Sequence, residues 1–232
     1  MSASPPVLPL TSLLALPTVL LPGTLCGAAL WAGVALPAGA QVVGAVRGNS
    51  LQHAAALILR GAPERFHLLG FSLGAVLAFE VLRRAPERVA RLSLLSANPH
   101  APTAAQLEVW AQQEQQVRAG RFGEVAANLA GSSGPHRQTV LDMAYVVGPE
   151  AFLEQLNMLR SRPDSRPTLA SYSGPLTLNV GQADTVTPPS LVREMAALAL
   201  QADVQLIPGA GHYLPLDAPQ AVSTLLRELA HA

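Results

Sequence analysis

Residues 66–76 read Phe-His-Leu-Leu-Gly-Phe-Ser-Leu-Gly-Ala-Val, an apolar run, a Gly-x-Ser-x-Gly turn and the start of a helix rich in small residues. A serine on so sharp a strand-to-helix hairpin takes strained backbone angles, and side chains two positions to either side would collide. Gly70 and Gly74 remove those collisions, and Ala75 and Ala78 let the helix approach the strand. Such a turn needs a buried strand before it and a helix after it. A parallel α/β sheet supplies both.

The rest of the chain fits that requirement. Short apolar runs at residues 18–21, 41–46, 66–71, 91–95, 176–180 and 204–207 recur, each followed by a turn and then, in most cases, a helix-like stretch. Residues 51–59, 73–85, 190–200 and 219–229 have apolar spacing near 3.6 and read as the crossover helices that parallel neighbours require. The expected fold is α/β, a mostly parallel sheet of about six strands flanked by helices. Residues 101–174 break the rhythm: they hold no convincing strand and much of the polar content. Helices are expected at 104–118, 122–129, 138–147 and 150–159, with Pro149 opening the last. The domain reading is therefore a core of residues 1–100 and 175–232 with an all-helical cap at 101–174. The cap follows the fourth strand on the carboxyl side of the sheet, where open α/β sheets bind ligands.

Composition narrows the chemistry. The 232 residues, half of them hydrophobic, suit one well-cored domain. A formal net charge of zero offers no basic field for nucleic acid. The basic residues are all arginine, which removes Schiff-base chemistry and lysine-dependent phosphate loops. Cys26 is the single cysteine, so disulfide frameworks and multi-cysteine metal sites are out, and burial as a small apolar filler is its simplest role. No charged residue precedes Arg47, but the apolar run at 7–21 is broken by Pro9 and Pro17, and residues 1–6 lack the basic start of a secretory signal. Residues from Pro17 on are expected to be a buried strand, with no stable membrane insertion and a cytoplasmic location.

Ser72 needs a base to activate its hydroxyl and a group to orient that base. Of six histidines, His212 follows the last strand in a glycine turn, Gly209-Ala210-Gly211, that could carry an imidazole to the sheet's carboxyl edge. His67 reads as a packed, hydrogen-bonded core residue, His53 and His231 as surface positions, and His100 and His136 as solvated residues around the cap. The acid is assigned by elimination. Asp184 leaves a strand end between serine and histidine, whereas the exit at residues 95–98 has no carboxylate, the other acids lie in the helical insertion, and Asp217 follows the histidine. A turn or cap role for Asp184 is the alternative. Two amides should hold a developing oxyanion: that of Leu73, and one from the turn after the first strand, where Thr24 is the best donor and Leu25 the fallback.

In these residues the chain resembles the α/β-hydrolase superfamily, from Pro17 to Leu229. The resemblance rests on Pro22-Gly23-Thr24, Gly70-Phe71-Ser72-Leu73-Gly74, Gly181-Gln182-Ala183-Asp184 and Gly211-His212, in the family's order. It is nearest to small bacterial carboxylesterases and the related menaquinone-pathway lyase and hydrolase group, which share a helical cap of this size and place. The resemblance implies Ser72 as nucleophile, His212 as base, Asp184 as acid, and Thr24 and Leu73 as oxyanion donors. Pro22-Gly23 replaces the usual His-Gly, and the N-terminus is too short for the usual leading hairpin, so a trimmed sheet is expected.

The expected activity is cleavage of a small-molecule carboxylic ester or thioester through an acyl-Ser72 intermediate, with no metal or organic cofactor. Two other readings stay open. A cofactor-independent lyase could use the same three residues to abstract a proton from a multiply anionic substrate, which would call for two or more arginines near Ser72; Arg47, Arg121 and Arg160 are candidates, although surface pairing suits each. A non-catalytic binding protein on the same fold is the third.

Overall fold

The computed structural model describes residues 16–231, the side chains of 230 and 231 apart. The part of the apolar N-terminal run before residue 16, and the side chain of His231, lie outside the described residues. Six strands, β1 (Thr18–Leu21), β2 (Gln41–Val42), β3 (Phe66–Phe71), β4 (Val89–Leu95), β5 (Leu176–Gly181) and β6 (Asp203–Ile207), form one sheet in the order β2-β1-β3-β4-β5-β6. Every neighbouring pair is parallel. The helices are α1 (Leu51–Gly61), α2 (Leu73–Arg84), α3 (Ala104–Arg118), α4 (Phe122–Ala130), α5 (Arg137–Ser161), α6 (Arg166–Ser171), α7 (Pro189–Leu198), α8 (Leu214–Asp217) and α9 (Pro219–His231).

Strand β3 sits between β1 and β4, and all six of its residues, apolar apart from His67, are buried, as befits a parallel strand covered on both faces. One apolar layer joins the sheet to α1, α2, α6 and α7 through residues such as Leu51, Phe79, Leu169 and Met195. The other layer, with Trp31, Phe71, Phe152 and Leu226, joins it to the turn at Ala28–Trp31, to α4 and α5 and to α9. The chain reverses direction of strand addition at β1, since β2 lies on one side of it and β3 on the other. Ligands bind at such switch points in open α/β sheets.

Helices α3 to α6 lie between β4 and β5, with no strand between them. Thr103 starts α3 with a capping box to Gln106. Two separate runs were expected at 138–147 and 150–159; α5 spans both, but it breaks at Gly148, whose φ of 82° and ψ of 169° are not helical. Pro149 then restarts the helix, consistent with its fixed φ and missing donor.

Two expectations need correction. Strand β2 is two residues long, where 41–46 was read: it has one neighbour, Gly44 follows shortly, and the Val46 carbonyl accepts from the Gln155 side chain instead of a strand. His67 is buried in β3 but is not fully hydrogen-bonded, because its Nδ1 has no partner. Among the described residues, no helix is long and apolar enough to cross a membrane.

Candidate active site

The site is built from the carboxyl ends of β1, β3, β4 and β5 and the loop after β6. Ser72 follows β3 directly and has φ 53° and ψ −112°, a conformation that costs about 1–3 kcal/mol and must be held by its surroundings. Its N–H donates to the Leu95 carbonyl at 3.0 Å, tying the turn to β4. A Cβ on Gly70 would strike the Gly74 carbonyl, and one on Gly74 would strike the Leu21 carbonyl. Both glycines are thus required by the tightness of the turn and by its closeness to β1.

His212 comes to Ser72 on the loop after β6. Its Nε2 lies 3.2 Å from Ser72 Oγ, and its Nδ1 lies 2.9 Å from Asp184 Oδ2. Both His212 and Asp184 are buried. Asp184 Oδ1 accepts the N–H groups of Val186 at 2.9 Å and Thr187 at 2.8 Å, and Oδ2 accepts the Thr187 hydroxyl at 2.7 Å. Burial alone would raise the pKa of this carboxyl. The His212 ring, followed by the Thr187 amide and hydroxyl, outweighs burial and holds it below the ordinary aspartate value. The ionised acceptor fixes the imidazole with Nδ1 protonated and Nε2 free to take a proton from Ser72.

Two residues passed over in the sequence hold the histidine loop. The Ser96 hydroxyl, at a residue with φ 50° just beyond β4, donates to the His212 carbonyl at 3.0 Å. Asp217 Oδ2 accepts the Gly211 N–H at 2.9 Å, and its Oδ1 lies 3.2 Å from His136 Nε2. Short hydroxyl and turn residues such as these carry no spacing signal. Thr187, three residues past Asp184, is the one that an Asp-x-x-Thr pattern at a strand exit could have flagged.

Helix α2 begins at Leu73 with no side-chain cap, unlike α1, which Ser50 caps, and α3, which Thr103 caps. Its first N–H groups therefore stay open to a ligand. Among the described residues, the amides of Leu73 and Thr24 have no acceptor. The Leu25 amide, the fallback donor, is already taken: it donates to Gln155 Oε1 at 2.9 Å. Leu25 itself has φ 54°, so this turn is held in a strained form from the α5 side.

The three residues Ser72, His212 and Thr24 line a cavity of about 200 Å³ between the sheet edge and the helical insertion. Its walls are mainly apolar, with Trp110, Leu129, Phe152 and Leu156 from α3, α4 and α5. Cys26 lines it as well, but burial pushes its thiol up to about 12, so no thiolate is on offer at neutral pH. Of the histidines read as solvated, His100 pairs with Glu194 at 2.8 Å and His136 with Asp217. The three arginines considered for the cleft are each engaged elsewhere: Arg47 with Glu154, Arg121 with Glu124 and Arg160 with Glu114. The sequence reading missed Arg162, which does line the cavity. Among the described residues, no three His, Cys, Asp or Glu side chains group so as to hold a metal ion.

A hydroxyl, imidazole and carboxylate in series, beside two open amides and under a mainly apolar wall, is the equipment for nucleophilic attack on a carbonyl. The chain belongs to the Alpha/beta hydrolase family, whose model it matches over residues 15–225. It is 25% identical over 198 residues to the biotin biosynthesis bifunctional protein BioHC of Cellvibrio japonicus, an alignment that covers 77% of this chain and 38% of that protein. The chain thus spans well under half of that relative's length. Among solved structures it resembles an esterase from Thermogutta terrifontis solved with malate bound, at a TM-score of 0.79 and 23% identity, covering 92% of this chain and 88% of that one. An enol-lactonase from Burkholderia xenovorans aligns with a TM-score of 0.76 and 16% identity over 93% of this chain and 91% of that one. At these identities the structures establish a shared fold.

Proposed function

We propose that this hydrolase cleaves a small carboxylic ester or thioester by acyl transfer to Ser72. The observation that carries the reading is the unbroken relay from Ser72 Oγ through His212 to Asp184, with steps of 3.2 Å and 2.9 Å, opening onto the cavity. Ser72 Oγ attacks the substrate carbonyl carbon while His212 Nε2 takes its proton, and Asp184 stabilises the imidazolium that results. The carbonyl oxygen, now anionic, receives the Thr24 and Leu73 N–H groups. Collapse expels the alcohol or thiol, which takes the proton from His212. Water then attacks the acyl-serine with His212 again as base, releasing the acid and restoring Ser72. Esterase and lactonase neighbours on the same fold are in keeping with this chemistry.

The lyase alternative called for two or more arginines converging near Ser72. Arg47, Arg121 and Arg160 are all paired with glutamates, and Arg162 alone lines the cavity, which favours the hydrolase. The non-catalytic alternative is disfavoured by the presence of all three relay residues. The test is hydrolysis of p-nitrophenyl esters of increasing acyl length by the wild type and by Ser72→Ala. The expected result is a burst and turnover in the wild type, both abolished by the substitution; inertness toward every chain length would overturn the proposal.

A further inference from the structure

Arg162, the residue at the C-terminal end of α5, is 6% exposed and is the one buried arginine among the described residues. It lines the same cavity as Ser72 and His212. Its Nε donates to the His100 carbonyl at 2.9 Å, its Nη2 donates to Gln106 Oε1 at 3.2 Å, and its guanidinium carbon sits 5.3 Å from the centre of the Trp110 ring. Neutral acceptors and an aromatic face orient the group, but no carboxylate among the described residues pairs with it. Of the acids on nearby elements, Glu114 pairs with Arg118 and Arg160, Asp164 with Arg166, and Glu194 with His100 and Arg166, while Glu108 on α3 is exposed. Burial lowers the Arg162 pKa to about 10, so the group remains a cation at neutral pH.

A buried cation without a counter-ion is costly to keep in a folded protein, and a packed apolar side chain would fill the space more favourably. Its cost is relieved when an anion enters the cavity. Nη1 makes no hydrogen bond within the described residues, and Gln106, whose Oε1 accepts from both Thr103 N–H and Arg162, keeps its Nε2 free as a second donor on the cavity wall.

We propose that Arg162 and Gln106 form a carboxylate-binding subsite, so that the substrate of this enzyme is an ester bearing a second, free carboxylate away from the carbonyl that Ser72 attacks. The subsite extends the acyl-transfer reading and rests on it for the word substrate, though not for the binding of an anion. A cavity of about 200 Å³ is small beside the roughly 300–1,000 Å³ usual for larger ligands, which suits a half-ester of a short dicarboxylic acid.

The test compares hydrolysis of monomethyl glutarate with that of its isosteric ω-carboxamide, followed by proton release, in the wild type, Arg162→Gln and Gln106→Glu. Gln106→Glu is the decisive variant: it retains the acceptor for Thr103 N–H and for Arg162, and it supplies the missing counter-ion from within, so loss of folding cannot imitate its effect. The wild type is expected to favour the acid ester in kcat/KM by about tenfold or more, the scale of a charge-assisted pair in a desolvated site, and both variants to lose that preference. Hydrolysis of both esters without preference would overturn the subsite and leave the hydrolase reading standing. Should neither ester be hydrolysed, calorimetry with free glutarate decides the subsite separately: binding to the wild type that Gln106→Glu abolishes supports it, and no binding to the wild type overturns it.

Discussion

Gln155, fully buried on α5, accepts the Leu25 N–H at 2.9 Å and donates to the Val46 carbonyl at 3.0 Å, so one side chain of the helical insertion fixes both the turn after β1 and the segment after β2. The neighbour of Leu25 in that turn is Thr24, which lines the cavity with Ser72 and whose amide has no acceptor among the described residues. The insertion therefore shapes the proposed oxyanion site as well as covering it. Replacing Gln155 with Leu strands a buried donor and a buried acceptor, at about 1–3 kcal/mol each. The expected outcome is a lower urea midpoint together with a fall in kcat larger than any rise in KM, because the oxyanion donor proposed at Thr24 would act most on the transition state. A stability loss with kcat untouched would show that Gln155 only holds the chain together.

Asp184→Asn tests the orienting role directly. Asparagine retains an oxygen for the Val186 and Thr187 amides, so the turn should fold, but it no longer holds a proton on His212 Nδ1 with an ionised acceptor. A fall of about 10,000-fold in kcat/KM is expected, with a small change in the unfolding midpoint. An activity loss of less than tenfold would mean that another group orients His212, and Thr187 Oγ1, 3.3 Å from its Nδ1, would be the one to examine.

Much of this site was legible because strong local constraints write themselves into sequence. The Gly70 and Gly74 requirement is steric, and β3 is apolar apart from His67, so the fold class, five of the six strands and the Ser72 turn could be read directly. Asp184 and His212 followed from strand exits. What escaped was set by tertiary packing. Nothing local tells Gln155 from the other glutamines, or Arg162 from Arg160 two residues earlier; the difference is which way the end of α5 faces, and that depends on its break at Gly148 and on how it lies against α3. Ser96 escaped for the same reason, since it acts on a loop 116 residues away, and Asp217, six residues from the Gly211 it holds, escaped because turn carboxylates carry no spacing signal.

Gly74→Ala measures how closely α2 approaches β1. Its added methyl would strike backbone, the Leu21 and Pro22 carbonyls, and no side chain can rotate aside to admit it. A loss of about 3 kcal/mol is expected, with activity falling even where the fold survives, since relief of the clash moves Ser72 and the Leu73 amide together. Thermal unfolding and p-nitrophenyl acetate turnover measure the two effects, and unchanged values in both would mean that α2 is less tightly seated than its contacts imply.

His67 gives the chain a stability that depends on pH. Its ring is buried in β3 with Nδ1 unpartnered, and burial, reinforced by the positive charges of Arg91 and Arg65, lowers its pKa below the ordinary histidine value of 6.5. The folded state thus resists protonation while the unfolded chain accepts it, so the unfolded state binds more protons as pH falls through 6.5. The contribution is intact above that value and is lost progressively as pH drops toward the lowered folded-state pKa. Replacing His67 with Phe, of similar size and without a titrating group, should remove this slope. Urea midpoints measured from about pH 8 to about pH 5 are expected to run parallel for the two proteins above the histidine range and to diverge below it, with the wild type falling faster. Parallel behaviour throughout would mean that the folded protein protonates His67 as readily as the unfolded chain does, and that the ring reaches water at the end of β3.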